Sequence, residues 1–338
     1  MMFYKLLYPT LAGMALTAMC ACTSTSETDE PTANELTFTA TQASRSSLVS
    51  TDNMASFTVY GNMVSSTNPS SPTSVFDGTT VSQTADGWTY DNTQYWFPGQ
   101  TYSFAAVHFP NSENISNLSY RDDKLTFRYT APADYTQADD ILTAAHRRIY
   151  QSPATPVVLN FGHTMARINF VANVDPAVQN VSIVINRIVI KGIATRANYT
   201  LQPASITGNS KQTSDLAGTQ WTVSQTPARV SYTKEPNVTV STGASVSLFD
   251  SSVDPLLVIP QSVVSEMEVE LTYTRVGGTT STVSGRLRTP ASAHGYVWTA
   301  GNAYTYSFNL GVDDFLIFDA PGVNAWDEDE GGNYIVVG

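Results

Sequence analysis

Apolar and polar residues alternate with period two along most of this chain, in short runs separated by Gly, Pro, Asn and Asp. Met267, Val269, Leu271 and Tyr273 fall on one face of an extended segment and Glu268, Glu270, Thr272 and Thr274 on the other, the pattern of a strand with one wet face. Thr282 to Arg288 follows across Gly277-Gly278 as its hairpin partner. Tyr304, Tyr306, Phe308 and Leu310 repeat the alternation. Leu36, Phe38 and Ala40 do so near the N-terminus, against Thr37, Thr39 and Thr41, and predict the first strand of the fold.

Two runs, Tyr102 to Phe109 and Leu256 to Ile259, are apolar on both faces and predict strands covered on both sides. Phe57–Tyr60, Leu125–Tyr129, Val157–Phe161 and Ile168–Ala172 add further strands. In Val181–Ile193 the apolar parity switches after Ile185, which predicts a bulge near Asn186-Arg187. Asn62 to Thr80, polar and carrying Pro69 and Pro72, reads as a surface loop. Only Ala131 to Tyr150 leaves room for a helical turn. With no βαβ alternation the chain is all-β, and two β-sandwiches in tandem are favoured over one large barrel. The prolines of Gln151–Pro156 mark a linker, giving an N-terminal sandwich over residues 36–153 and a C-terminal one over 154–326.

The ends add a different kind of information. Lys5 followed by the apolar run Leu6–Met19 is too short for a bilayer span and reads as an export signal, residues 1–21. Met19-Cys20-Ala21-Cys22 resembles a bacterial lipobox, with Cys22 as the lipidated residue and the outer membrane as the partner of its acyl chains. Residues 22–35 are an acidic Ser/Thr spacer. Its Glu27, Asp29 and Glu30 resemble a signal for the outer face of that membrane, and a plain solvated spacer reads equally well. Arg45, with Ser46 after it, is a site for a trypsin-like protease in a stretch with nothing apolar to bury. A cut there frees the lipid and the first strand together. At the other end, residues 327–338 hold an acidic linker, Asp327–Asn333, and a short apolar run, Tyr334, Ile335, Val336 and Val337.

Candidate chemistry is sparse. The only cysteines are Cys20 and Cys22, so no disulfide framework follows. A net charge of −12 argues against nucleic acid as a partner. His108, His146, His163 and His294 have no metal-ligand spacing, and neither a nucleophile elbow nor a phosphate-binding loop is present. The acidic run 327–333 lacks the bidentate Glu of a calcium loop. Trp88, Tyr90, Tyr95 and Trp96 offer either an aromatic platform for a sugar or ordinary core and cross-strand pairs. No catalytic residue, metal or cofactor is expected, and the chain does not read as an enzyme.

Several segments in order resemble the fimbrillin family, the pilins of type V pili. They are Tyr95-Trp-Phe-Pro-Gly99, Tyr102–Pro110, Asp140–Ala145, Val158–Phe170, Ile188–Gly192, Leu257–Gln261, Gly301–Tyr304 and Val323–Trp326. The resemblance implies lipoprotein export and two transthyretin-like β-sandwich domains. It also implies cleavage after Arg45 by an arginine-specific protease, loss of the strand Leu36 to Ser44, and polymerisation with other pilin subunits through a partner's C-terminal strand, in a fimbria that supports adhesion. Tyr334 to Val337 would be that donor strand. Burying Leu36 and Phe38 contributes roughly 3–6 kcal/mol, so an emptied groove favours strand addition. The vacated groove is about 30 Å long and the run from Tyr334 about 16 Å, which leaves a tip, anchor or accessory subunit as open as a shaft subunit. The competing reading is a monomeric surface lipoprotein that binds a glycan or host protein through its loops.

Overall fold

The computed structural model describes residues 34–42, 54–65, 67–150, 152–176, 178, 180–218, 220–249, 254–287, 297–311, 318 and 321–325. Cys22, Arg45, Ser46, His294, the acidic run 327–333 and Tyr334, Ile335, Val336 and Val337 lie outside them. Among the described residues the chain is all β, with no α-helix and two 3₁₀ turns, Ser112–Asn114 and Tyr135–Gln137. The second turn falls within Ala131 to Tyr150, where the sequence leaves room for one.

The strands of the first part are β1 (Phe38–Gln42), β2 (Ser56–Ser65), β3 (Asn68–Thr84), β4 (Gly87–Thr89), β5 (Gln100–His108), β6 (Ile115–Arg121), β7 (Lys124–Thr130) and β8 (Leu142–Ile149). Next come β9 (Val157–His163), β10 (Ala166–Val174), β11 (Ser182–Ala194), β12 (Arg196–Leu201), β13 (Gln212–Thr213) and β14 (Trp221–Val223). The last are β15 (Arg229–Lys234), β16 (Val238–Ser241), β17 (Ser245–Ser247), β18 (Leu256–Val258), β19 (Glu268–Arg275), β20 (Thr280–Arg286), β21 (Asn302–Leu310) and β22 (Gly322–Ala325).

One expectation is overturned here. The segment 62–80 is not a loop but most of a long hairpin, in which β2 and β3 pair from Ser56↔Ser82 out to Ser65↔Asn68. β3 meets β4 only at Ser82, Gln83 and Thr84. Over Pro69 and Pro72 its second edge therefore carries no ladder, and an edge strand is where proline is tolerated.

The largest sheet runs β13-β8-β5-β2-β3-β4-β1-β9 and then returns on itself, because β9 also pairs with β8 at Leu142↔His163 and Thr143↔Gly162. Seven strands thus form a closed ring, with β13 on its flank. Inside lie Leu36, Phe38, Phe57, Val59, Phe76, Trp96, Phe104, Leu142, Leu159 and Phe161. Alternate residues of the same strands, Ala105, Val107 and Ala145, pack instead on Leu125, Phe127, Tyr129, Tyr199 and Leu201 of the sheet β14-β12-β7-β6. This is why β5 is buried without interruption from Tyr102 to Val107.

A third core fills the space between β17-β10-β21-β22, with β18 beside β10, and β15-β11-β19-β20, with β16 beside β11. Leu256 and Val258 belong to this core and Leu257 and Ile259 to the neighbouring one, so the continuous apolar run is covered on both faces. The predicted parity switch in β11 is a register shift between Ile185 and Arg187 against β19. Pairing also crosses the expected boundary at 153/154. β9 bonds to β8 and β1, and β12, β13 and β14 bond within the sheets of the first group.

Candidate functional site

The first strand is seated in the ring by a few strong contacts. Glu35 and Tyr95 form an antiparallel bridge, with Leu36 N donating to Gln94 O at 2.8 Å and Trp96 N to Asn34 O at 2.9 Å. From Phe38 to Gln42 the strand runs parallel to β9, in register with Val157 to Phe161. On its other side β1 meets β4 at a single pair, Phe38↔Trp88. One flank is therefore a five-residue ladder and the other a one-residue contact.

The alternation anticipated from sequence is present. Leu36 is fully buried and Phe38 is 4% exposed, Ala40 packs at the edge of the same core, and Thr39 and Thr41 face solvent. The Phe38 ring sits among four others, with centroids 5.4 Å from Phe76, 5.8 Å from Tyr90, 5.9 Å from Phe104 and 6.2 Å from Phe57. Three of these contacts are edge-on and the fourth is tilted, and aromatic rings favour such edge-on packing. Thr41 Oγ1 donates to Asn160 Oδ1 at 2.6 Å on the outer face.

Polar groups complete the seat. The Tyr90 hydroxyl donates to the Leu36 carbonyl, and burial pushes its pKa up to about 12, so it donates as a neutral phenol throughout the physiological range. Tyr150 OH donates to Asn34 Oδ1 at 2.8 Å, and its ring stacks on Trp96 at 5.3 Å and 10°. Arg148 lies over the opposing Trp96 ring system at 5.1 Å and donates to the Thr155 carbonyl.

The aromatics that the sequence offers as a sugar platform have another place. Trp96 is buried, Trp88 packs 5.0 Å from Phe57, and Tyr90 packs on Phe38 and Phe76. They line the seat of β1, and Tyr95 alone of the four is exposed. Sequence reasoning names Leu36, Phe38 and Ala40 but misses their partners in β9 and the role of Phe76 and Phe104. The density of Phe, Tyr and Trp between residues 57 and 104 was the available signal; the parallel partner, over a hundred residues away, has none in local pattern.

The three described histidines have structural partners. His108 Nδ1 lies 2.8 Å from Ser56 O, His146 Nδ1 lies 3.0 Å from Ser214 Oγ, and His163 Nδ1 lies 2.8 Å from Asp140 Oδ1. Among the described residues no three His, Cys, Asp or Glu side chains are grouped to hold a metal, and no helix is long and apolar enough to cross a membrane.

Among the described residues the chain is all β, and its leading strand closes a ring of sheet. A family model described as fimbrillin-like matches residues 27–326, and the chain belongs to the fimbrillin-like family. Among solved structures, a candidate cell adhesion protein from Bacteroides ovatus is 12% identical, with 88% of this chain and 98% of that one covered at a TM-score of 0.50. Another from Bacteroides uniformis is 15% identical, with 86% and 99% covered at 0.47. A candidate polysaccharide-binding protein from Bacteroides thetaiotaomicron is 10% identical, with 88% and 99% covered at 0.40. No curated protein sequence matches the chain.

Proposed function

We infer that this chain is a structural or accessory subunit of a cell-surface pilus that supports adhesion. In this reading it is exported as a lipoprotein, held in the outer membrane by acyl chains on Cys22, and matured by an arginine-specific protease that cuts between Arg45 and Ser46. The reading keeps a two-domain plan, in which β9, β12, β13 and β14 from beyond residue 153 complete the sheets of the first domain. Fimbrillin-like membership supports the subunit role, and the similar structure from Bacteroides ovatus is that of a candidate cell adhesion protein.

The observation that carries the reading is the asymmetry of the β1 seat. Leu36 and Phe38 are buried in the ring core, yet β1 is held by five pairs on one side and one on the other. While the chain is intact, β1 is tethered to β2 and its local concentration is high. A cut at Arg45 ends the tether, and binding becomes bimolecular. Departure of β1 would open the ring between β4 and β9, leaving the Val157–Phe161 backbone edge and an aromatic-lined slot without partners. A neighbour's extended segment with apolar residues at i and i+2 refills both. Tyr334 with Val336, or Ile335 with Val337, has that spacing, and the four-residue run is comparable with the five positions of β1 that pair with β9.

The test is to treat the purified precursor with an arginine-specific protease and follow polymer ladders on an unheated gel. Polymers are expected from the wild-type chain and none from Arg45→Gln. A chain trimmed after Arg45 that stays monomeric at high concentration overturns the reading and leaves the monomeric lipoprotein.

A further inference from the structure

The outer face of the sheet β14-β12-β7-β6 carries an open groove of about 320 Å³, lined in part by Arg128, Arg196, Asn198, Thr222, Ser224 and Thr226. We propose that this groove binds a carboxylated saccharide, a uronic-acid type of glycan, independently of strand exchange. The register explains the array. Arg128 lies directly across from Asn198, and Asn198 directly across from Thr222, while Arg196 is two residues along β12 on the same face. Their intervening neighbours Phe127, Ala197, Tyr199 and Trp221 are buried beneath, so the row stands on a packed floor rather than on a loop.

Charge sets the ligand class. The chain has a net charge of −12, and Arg147, Arg187, Lys191 and Lys234 each pair with a carboxylate. Neither Arg128 nor Arg196 has a carboxylate within ion-pair distance among the described residues. Arg128 Nε donates to Asn198 Oδ1 at 3.1 Å, which fixes the guanidinium and leaves its terminal Nη groups for a ligand. Two guanidinium forks suit a carboxylate better than a neutral group. Asn198, Thr222, Ser224 and Thr226 suit the hydroxyls around it. The lining holds no aromatic ring, so a neutral sugar has no face to stack on, and a volume at the small end of ligand pockets suits a short saccharide.

The test is calorimetric titration of the full mature chain with trigalacturonate, using maltotriose as the neutral control and sodium sulfate as the bare anion. Trigalacturonate binding is expected to weaken with added salt. It should fall about tenfold or more in the double variant R128Q/R196Q, the loss expected of charge-assisted contacts, and stay within about twofold in R286Q, which removes the same kind of charge from β20. Arg196→Gln alone, at an exposed position, should lose binding several-fold and guards against misfolding of the double variant. Equal weakening by R286Q, equal binding of maltotriose, or displacement by sulfate at equal concentration would each overturn the proposal.

Discussion

The ring core and the C-terminal core are built from different materials. The ring is aromatic, with Phe38, Phe57, Phe76, Trp96, Tyr102, Phe104, Tyr150 and Phe161. The other also holds aromatics such as Phe170, Trp298 and Tyr306, but has a larger share of branched aliphatics, among them Ile168, Ile183, Ile185, Ile188, Ile190, Ile193, Val269 and Leu271. Much of the second set comes from β11, which is flanked along its length by β19 on one side and by β15 and β16 on the other. Withdrawing β11 would break three ladders. Withdrawing β1 with the residues just before it breaks one ladder of five pairs, one isolated pair and the Glu35↔Tyr95 bridge. The lesson is that burial alone does not make an element permanent. Leu36 and Ile190 are both fully buried, but only the first sits on a strand whose backbone commitments are few.

The sharpest way to break this comparison is Phe38→Ala. Truncating a buried Phe costs about 3–5 kcal/mol, and here the loss falls on the strand with fewest ladder bonds. Urea unfolding, followed in variants that keep either Trp96 or Trp298 as the reporter, should show the Trp96 transition shifted to lower denaturant. The Trp298 transition, which reports the C-terminal core, should stay in place. A single transition, equally shifted for both reporters, would mean that the two cores unfold as one and that β1 is no more separable than β11.

Acid should separate the two cores next. His146 lies on the ring side of β8, between Ala144 and Arg148, and is 3% exposed. Burial, with the Arg148 cation as a further cause, lowers its pKa from 6.5 to about 4. The folded value lies below the unfolded one, so the unfolded chain takes up a proton that the folded chain refuses. Stability is therefore fully present above pH 6.5 and lost as pH falls toward about 4, by about 3 kcal/mol in all. Urea midpoints read from Trp96 at neutral pH and near the lower end of that window should differ accordingly. His146→Gln should remove most of the difference, and an unchanged pH slope in that variant would place the acid sensitivity elsewhere.

How much of this was legible in the sequence depends on the range over which each feature is decided. The faces of β1, β19 and β21 follow from local alternation, and Leu256 to Ile259 announces a strand with a core on each side. The bulge at Asn186 shows as a change of parity. The closed ring does not show, because it rests on β9 meeting both β1 and β8, a matter of non-local pairing that leaves no period in the chain. The β2–β3 hairpin was hidden for the opposite reason. From Asn68 to Ser74 β3 is polar, carries both prolines and lies exposed at the edge beside β2, so that stretch has no core face to pattern. Arg128 and Arg196 carry no signal in the local sequence, and only the register of β7 with β12 puts them together.

Two adjacent residues of β11 extend the comparison down to a single strand. Gly192 has φ +83, and a Cβ built on it would lie 2.7 Å from the Glu266 carbonyl oxygen. The neighbour is backbone, held next to Met267 at the start of β19, and cannot turn aside. Gly192→Ala should therefore cost about 2 kcal/mol or more, combining the left-handed conformation with the clash. Lys191 next to it looks more connected, since its ammonium lies 3.1 Å from Glu268 and 2.8 Å from Glu270. Those groups stand on the wet face of the sheet, where screening and side-chain entropy leave an ion pair well under about 1 kcal/mol. Lys191→Gln should then shift the Trp298 urea midpoint far less than Gly192→Ala. The reverse order would mean that the carboxylate pair of β19 matters more to the second core than the close backbone approach at Gly192, and that this sheet is held from outside as well as from within.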